Sequence, residues 1–214
     1  MKQYKAYCFD LDGTVYRGKE PIPSAISYIK DLQVQGIEPF YVTNNSSKTR
    51  DQIQHILRSF GVEVPLTHIY SSALVTAKYI AEHYREAKVY VIGSDGLRQS
   101  LNEEVIEVLS EDAEHADVLV MGIDWTITYD KIVHACKLVQ SGAKLIGTNP
   151  DIHFPSEQYF IPGCGSFVEL VAKVSKVEPL FIGKPSTQLL NFIQKEHKFT
   201  KSEMVMIGDN YHTD

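Results

Sequence analysis

Short apolar runs alternate with amphipathic segments of helix length along most of this chain of 214 residues. Strands that alternate with helices are joined by crossover connections, so they lie parallel in a sheet. The pattern therefore predicts an α/β protein built on parallel sheets. The predicted strands are residues 4–9, 38–43, 88–92, 117–121, 144–147, 179–182 and 204–207, and the predicted helices are residues 24–35, 49–60, 72–84 and 129–140.

Two aspartates, Asp10 and Asp12, follow the first predicted strand and are separated by one residue. Side chains at positions i and i+2 of an extended segment point the same way, so both carboxylates can reach one spot. Two acids so close repel each other unless a cation lies beside them, and hard oxygen ligands suit Mg²⁺. Gly13 lets the backbone approach a ligand closely. The alternative is an ordinary Asp-Gly turn.

Three more polar segments follow predicted strands: Thr43-Asn44-Asn45-Ser46, Gly183-Lys184-Pro185-Ser186, and Gly208-Asp209-Asn210 with Asp214 nearby. Taken singly, they can be a helix N-cap, a solvated lysine and a turn. Ligands of parallel sheets bind at the carboxyl ends of strands, however, and all four segments lie there. Together they supply acids, a hydroxyl, amide donors and a cation. That set suits phosphoryl transfer, in which a carboxylate attacks phosphorus and a second acid moves the proton. The residues alone do not show which aspartate attacks.

These segments, with Thr148-Asn149-Pro150-Asp151 and Pro162-Gly163-Cys164-Gly165-Ser166, resemble motifs of the haloacid dehalogenase superfamily of phosphatases. They look most like its NagD-like, para-nitrophenylphosphatase-type branch. The resemblance implies a doubly wound, Rossmann-like parallel-sheet core carrying an inserted α/β cap domain. We expect residues 1–80 and 179–214 to form the core and residues 81–178 to form the cap. The implied activity is Mg²⁺-dependent hydrolysis of phosphomonoesters.

The same resemblance implies a role for each motif residue. Asp10 is the expected nucleophile and Asp12 the expected general acid/base, while Thr43 and Lys184 bind the transferring phosphoryl group. The residues expected at the metal are Asp10, Asp12 through its backbone carbonyl, Asp209 and, in support, Asp214. The residues expected to bind substrate are Gly13, Asn44, Asn45, Asn149, Asp151 and His153.

Residues 148–166 have few periodic apolar positions and are predicted to form a long loop. The resemblance implies that this loop closes over the substrate, and the alternative is a purely structural loop. Cys164 is expected to pack and not to react. Residues 93–96, Gly-Ser-Asp-Gly, are predicted to form a turn.

Composition limits the partners. The net charge of −6 argues against nucleic acid or an anionic membrane as the main partner, since both require a basic surface. No apolar run approaches the roughly 20 residues of a membrane-spanning helix, and the N-terminus runs into a strand without a signal peptide. Three scattered cysteines suggest reduced thiols, and eight histidines show no zinc-ligand spacing. We therefore expect a cytoplasmic protein, compatible with a homo-oligomer, that acts on a small phosphorylated metabolite.

One alternative is a phospho-accepting signalling or binding module on a related α/β fold. Response-regulator receivers also place acids, a threonine and a lysine on a parallel sheet, but they lack an insertion of cap size. Members of the resembled family also continue for several tens of residues after the fourth motif. We therefore expect this polypeptide to be the larger part of a longer protein, marginally stable and weakly active by itself.

Overall fold

The computed structural model describes residues 4–155 and 159–214. Its strands are β1 Ala6–Phe9, β2 Tyr16–Arg17, β3 Glu20–Pro21, β4 Phe40–Thr43, β5 Ile69–Ser71, β6 Val89–Ile92, β7 Val118–Met121, β8 Lys144–Gly147, β9 His153–Pro155, β10 Phe160–Pro162, β11 Leu180–Phe181 and β12 Met204–Ile207. Its α-helices are α1 Pro23–Val34, α2 Arg50–Ser59, α3 Ser72–His83, α4 Asp95–Glu103, α5 Tyr129–Gln140, α6 Cys164–Ser175 and α7 Gln188–His197. Short 3₁₀ helices cover Leu66–His68 and Lys201–Glu203.

The predicted elements are all present, and their bounds agree within two residues. Helix α5 and strands β8 and β12 have the predicted bounds. The turn predicted at residues 93–96 is wrong, because Ser94 is the N-cap of α4. Gly96 lies in the first turn of that helix, where its backbone N–H donates to the carbonyl of Ser47 at 3.0 Å. A side chain at this glycine would overlap the backbone of Lys48, so the residue marks close packing and not a reversal.

The chain divides into two compact units, and the first contains described residues 4–43, 50–71 and 184–214. Its sheet has the order β12-β1-β4-β5 and all its strands are parallel. Strand β1 is fully buried, whereas β12 forms an edge and is half-buried. The carboxyl ends of β1, β4 and β12 share one edge of the sheet, which places Asp10, Thr43 and Gly208 there.

The second unit contains residues 44–49 and 72–183, with a parallel sheet in the order β11-β8-β7-β6. Helices α5 and α6 pack together on this unit, as do α3 and α4. The expected ranges 1–80, 81–178 and 179–214 assign α3 and β11 to the core, and here the structure differs. Strand β11 pairs with β8, and the apolar face of α3 is buried against α4, so both belong with the second unit.

The stretch predicted as a long loop, residues 148–166, contains more regular structure than expected. Strands β9 and β10 form an antiparallel ladder that pairs His153 with Pro162, and α6 begins at Cys164. Residues 156–158 of the predicted loop lie outside the described residues. Cys164 is buried, as its predicted packing role requires.

In the described ranges 4–155 and 159–214, no helix is both long enough and apolar enough to cross a bilayer.

Close packing at Gly147 makes the second sheet sensitive to one methyl group. A Cβ at this position would lie 2.5 Å from the ring of Phe181 and 3.1 Å from Cγ2 of Val168. We expect Gly147→Ala to lower the free energy of unfolding of this unit by about 1–3 kcal/mol, the usual cost of overpacking. Urea denaturation measures this change. Lys144→Ala, at an exposed position of the same strand, is the control, and equal effects of the two variants would contradict the packing argument.

Candidate functional site

Asp10 begins the site because it follows the buried strand β1 directly. Its backbone N–H donates to the carbonyl of Ile207 at 2.8 Å, so the ladder between β1 and β12 continues to the aspartate and fixes its position. Only 7% of the residue is exposed. Strand β1 therefore places the Asp10 carboxylate at the sheet edge, in a position with little exposure to water.

Lys184 compensates the charge of this buried acid. Its Nζ lies 2.5 Å from Oδ1 of Asp10 and 2.5 Å from Oδ1 of Asp214, and all three side chains are buried. Charge-assisted hydrogen bonds of this kind are about twice as strong as neutral ones. One ammonium thus joins two carboxylates that are 204 residues apart in the sequence, a separation that follows from their residue numbers.

Three carboxylates, those of Asp10, Asp209 and Asp214, each offer one oxygen within 4.8 Å of the others. The hydroxyl of Thr14 donates to Oδ2 of Asp10 and, in the alternative, to Oδ1 of Asp209, both at 3.4 Å. Carboxylate oxygens are the ligands that a small, hard divalent cation prefers. The donor set therefore fits Mg²⁺, and it includes three of the four residues expected at the metal.

Two glycines leave room for these carboxylates. Gly13 has φ of +96°, and a Cβ there would overlap the carboxylate of Asp209. A Cβ at Gly208 would overlap the carboxylate of Asp214 in the same way. Asn210 closes the last loop: its N–H donates to Oδ2 of Asp214 at 3.2 Å, and its carbonyl accepts from the N–H of Asp214 at 2.9 Å.

Burial dominates the electrostatics of Asp10. Loss of water raises the pKa of this carboxyl from the ordinary 3.8 to about 6, although the Lys184 ammonium lowers the pKa and the Asp214 carboxylate raises it. The acid is therefore harder to ionise than a surface aspartate when no metal is bound.

Asp12 and Thr43 have contrasting environments. Asp12 is exposed in the tight turn after β1, where the N–H of Gly13 donates to the carbonyl of Tyr16 at 2.7 Å. The side chain of Asp12 is not part of the carboxylate cluster of the described residues, and only its backbone carbonyl was expected at the metal. Thr43 ends β4 and is 2% exposed. The turn considered as the alternative for residues 10–14 is thus present, and it carries both acids. The chemical roles of Asp10 and Asp12 stay predictions.

Three of the residues expected to bind substrate contact one another in the second unit. The Asn44 amide Nδ2 donates to Oδ2 of Asp151 at 3.0 Å. The Asn149 amide donates to the backbone carbonyl of Asn44 at 2.8 Å, and its Oδ1 accepts from the N–H of Asp151 at 3.1 Å. These side chains form a connected polar network.

Asn45 and His153 make contacts of a different kind. The Oδ1 of Asn45 accepts from the backbone N–H groups of Ser47 at 3.0 Å and Lys48 at 2.9 Å, which shapes its own loop. His153 is exposed on β9, with its ring centroid 4.5 Å from that of Phe160.

Sequence reasoning missed two polar residues that shape these sites. Thr14 is not among the residues expected at the site, yet its hydroxyl faces Asp10 and Asp209. Ser46 is buried, and its Oγ accepts from the N–H of Ile123 at 3.2 Å, which ties the loop after Thr43 to the end of β7. The one available signal was the position of Ser46 inside a polar motif after a strand.

Comparisons with known proteins indicate the family. Residues 7–107 match the family described as haloacid dehalogenase-like hydrolase, and residues 181–214 match one described as HAD-hydrolase-like. Over all 214 residues the chain is 39% identical to the 5'-nucleotidase YutF of Bacillus subtilis and 42% identical to an acid sugar phosphatase of Staphylococcus aureus, and it covers 82% of each relative.

Solved structures give the same result. The crystal structure of a double mutant of thermostable NPPase from Geobacillus stearothermophilus superposes with a TM-score of 0.92 at 37% identity, covering 100% of this chain and 84% of that one. A p-nitrophenyl phosphatase from Archaeoglobus fulgidus superposes with a TM-score of 0.92 at 30% identity, covering 100% of this chain and 81% of that one. The likeness over the whole length confirms the family that the sequence motifs indicated, and the chain belongs to the haloacid dehalogenase-like hydrolases.

Proposed function

We propose that this protein is a Mg²⁺-dependent phosphomonoesterase that acts on small phosphorylated metabolites through an aspartyl-phosphate intermediate. The observation that carries the proposal is the buried carboxylate of Asp10, bound to Lys184 and within 4.8 Å of Asp209 and Asp214. Relatives named acid sugar phosphatase, 5'-nucleotidase and p-nitrophenyl phosphatase support it. Acid-sugar phosphates, sugar phosphates and nucleoside monophosphates are the proposed substrate classes.

Asp10 is the proposed nucleophile. An oxygen of its carboxylate forms a bond to phosphorus while the bond between phosphorus and the ester oxygen breaks. The burial of Asp10 favours this role, because a nucleophile stripped of water needs less reorganisation before it attacks. A water molecule then attacks the same phosphorus and releases phosphate, which returns Asp10 as a free carboxylate.

Asp12 is the proposed general acid and base. It gives a proton to the leaving alkoxide in the first step and takes a proton from the attacking water in the second. Its exposure suits both transfers, since the side chain can reach the leaving group and can exchange protons with solvent. Asp10 and Asp12 thus have opposite environments, a buried one for attack and an open one for proton transfer.

The remaining motif residues are proposed to hold the phosphoryl group and the cation. Lys184 and the Thr43 hydroxyl bind phosphoryl oxygens, and Gly13 allows the backbone to approach them. Asp10, Asp209 and the Asp12 carbonyl would hold Mg²⁺, with Asp214 in support. When bound, Mg²⁺ supplies positive charge that offsets the charge of the phosphoryl oxygens and of the acids. Asn44, Asn45 and His153 are proposed on the substrate side, and His153 is exposed and able to meet a remote substrate group.

Substitution of the two aspartates separates their roles. We expect Asp10→Asn to abolish hydrolysis of para-nitrophenyl phosphate, because an amide cannot replace the carboxylate as nucleophile and the other two acids of the cluster are proposed to hold the cation. Asp12→Asn is expected to lower the rate by about 10²–10⁴-fold and to let phosphorylated protein accumulate, since proton transfer fails in both steps. Asp31→Asn, at an exposed position of the same unit, is the control. Retention of most activity by Asp10→Asn would rule out this mechanism.

The metal requirement gives a second test. Turnover is expected to require Mg²⁺ and to be inhibited by Ca²⁺, which accepts more ligands and tolerates a bidentate carboxylate that would occupy the attacking oxygen of Asp10. Initial rates in chelator, in Mg²⁺ and in mixtures of the two cations measure this. Full activity in excess chelator, or equal rates with either ion, would contradict the proposal.

The raised pKa of Asp10 predicts a pH-dependent cost in stability for the metal-free protein. Below pH 3.8, the ordinary pKa, the Asp10 carboxyl is neutral in both the folded and the unfolded protein. Between pH 3.8 and about pH 6 it ionises in the unfolded protein but stays protonated in the folded one. The free energy of unfolding therefore falls as pH rises through this window. Above the folded pKa the cost is constant, and the shift corresponds to about 3 kcal/mol at most. In chelator, Asp10→Asn should therefore gain stability relative to the native sequence as pH rises through this window.

Denaturant titrations of both proteins at several pH values measure that difference. Addition of Mg²⁺ is expected to reduce it, because a bound cation favours the ionised acid. A difference in stability that stays constant across the window would show that Asp10 ionises as easily as a surface aspartate.

A further inference from the structure

The chain passes between its two units at four places, and two of them adjoin residues proposed to bind the phosphoryl group. Thr43 is the last residue of the first unit before the chain enters the second at Asn44. Lys184 is the first residue after the chain leaves the second unit at Gly183. Thr43 and Lys184 are therefore bonded directly to Asn44 and Gly183, by one peptide bond each.

Asn44 is held by three hydrogen bonds within the second unit. Its backbone carbonyl accepts from Nδ2 of Asn149 at 2.8 Å and from Oγ of Ser72 at 2.7 Å. Its side-chain amide donates to Oδ2 of Asp151 at 3.0 Å. Ser72 is itself the first residue after another crossing. Its hydrogen bond to the Asn44 carbonyl therefore connects the residues that follow two of the crossings.

Gly183 is held against the same residues. Its N–H donates to the carbonyl of Thr148 at 2.8 Å. A Cβ at this glycine would lie 2.7 Å from Oδ1 of Asn44 and 2.8 Å from Cβ of Asn149, so the backbone of Gly183 lies directly on both side chains. Three of the four crossings thus meet at one set of residues, here called the crossing cluster: Asn44, Ser72, Thr148, Asn149, Asp151 and Gly183.

Asn149 is the centre of the crossing cluster. It is 5% exposed, and both ends of its amide are used, Nδ2 towards Asn44 and Oδ1 towards the N–H of Asp151. A buried amide so engaged has little capacity left for a substrate. Loss of its donor would leave the partly buried Asn44 carbonyl with one fewer partner and would loosen the start of the loop.

We propose that Asn149 and Asp151 are positioning residues: they fix Asn44 and Gly183, and through them the neighbouring Thr43 and Lys184 that grip the phosphoryl group. This inference rests on the proposed function. Substitution of Asn149 or Asp151 should then lower the rate of hydrolysis of every phosphate ester equally. A residue that contacts the remote part of a substrate would instead affect some esters more than others.

The variants Asn149→Ala, Asp151→Ala and Asp151→Asn test the proposal. Misplacement of catalytic groups by about 1 Å costs on the order of 10²-fold in rate, so we expect the two alanine variants to lower kcat by roughly 10–100-fold. The loss should be the same for para-nitrophenyl phosphate, an acid-sugar phosphate and a nucleoside monophosphate, with little change in KM. Asp151→Asn should retain most activity, because its Oδ1 can still accept from Asn44.

Thr128→Ala is the matched control for general destabilisation. The Thr128 hydroxyl caps α5 in the same unit by accepting from the N–H of Lys131 at 3.2 Å, so its loss lowers the unfolding midpoint without touching the crossing cluster. We expect this variant to keep the native kcat. Activity that falls in Thr128→Ala as much as in Asn149→Ala would overturn the proposal.

Hydrogen exchange gives a readout that does not need turnover. Peptides that span residues 43–49 and 183–187 should exchange faster in Asn149→Ala and Asp151→Ala than in the native protein or in Thr128→Ala. Unchanged exchange in these peptides would overturn the positioning role. So would losses of activity confined to some of the three esters. Absence of turnover in the native protein, with faster exchange in the variants, would reject the proposed function but keep the positioning role.

Discussion

The interaction between the ammonium of Lys184 and the carboxylates of Asp10 and Asp214 is the constraint on which the rest of the site depends. Each of these charges is taken almost wholly out of water, and the two acids repel each other. The single lysine offsets part of that cost, yet burial still raises the pKa of Asp10 to about 6. A cluster with so large a desolvation cost contributes little to stability. It suits the role that we propose for Asp10, that of a desolvated nucleophile beside the Lys184 ammonium, where electrostatic interactions are strong.

The fold provides this cluster from distant parts of the sequence. Parallel pairing of β1 with β12 and β4 brings three strand ends to one edge, and the buried register of β1 fixes Asp10 there. Glycine at positions 13 and 208 leaves the space that the carboxylates of Asp209 and Asp214 occupy. The second unit has its own polar network, in which Asn149 donates to the carbonyl of Asn44. We therefore propose a catalytic role for residues of the first unit and a positioning role for residues of the second.

Much of this could be predicted from the sequence, because strand ends and polar motifs are local signals. Alternating apolar runs located the parallel strands, and the motifs named Asp10, Lys184, Asp209 and Asp214 before their contacts were known. The partners of Asn44 could not be predicted, since Asp151 lies 107 residues away and no local pattern encodes that contact. Strand β11 was predicted as a strand, but only its pairing with β8 shows which sheet it joins. The turn predicted at residues 93–96 is wrong because glycine is found both in turns and where two backbones pack closely, and Gly96 belongs to the second case.

The central claim is that the Asp10 carboxylate itself becomes phosphorylated during each turnover. Rapid acid quenching of the native protein during hydrolysis of para-nitrophenyl phosphate, followed by borohydride reduction, tests this directly, since an acyl phosphate is reduced to an alcohol whereas a free carboxylate is not. Peptide mapping should find homoserine at position 10, formed only when Mg²⁺ and substrate are both present. Continued turnover with an unmodified aspartate at position 10, or with the modification at another residue, would contradict the account.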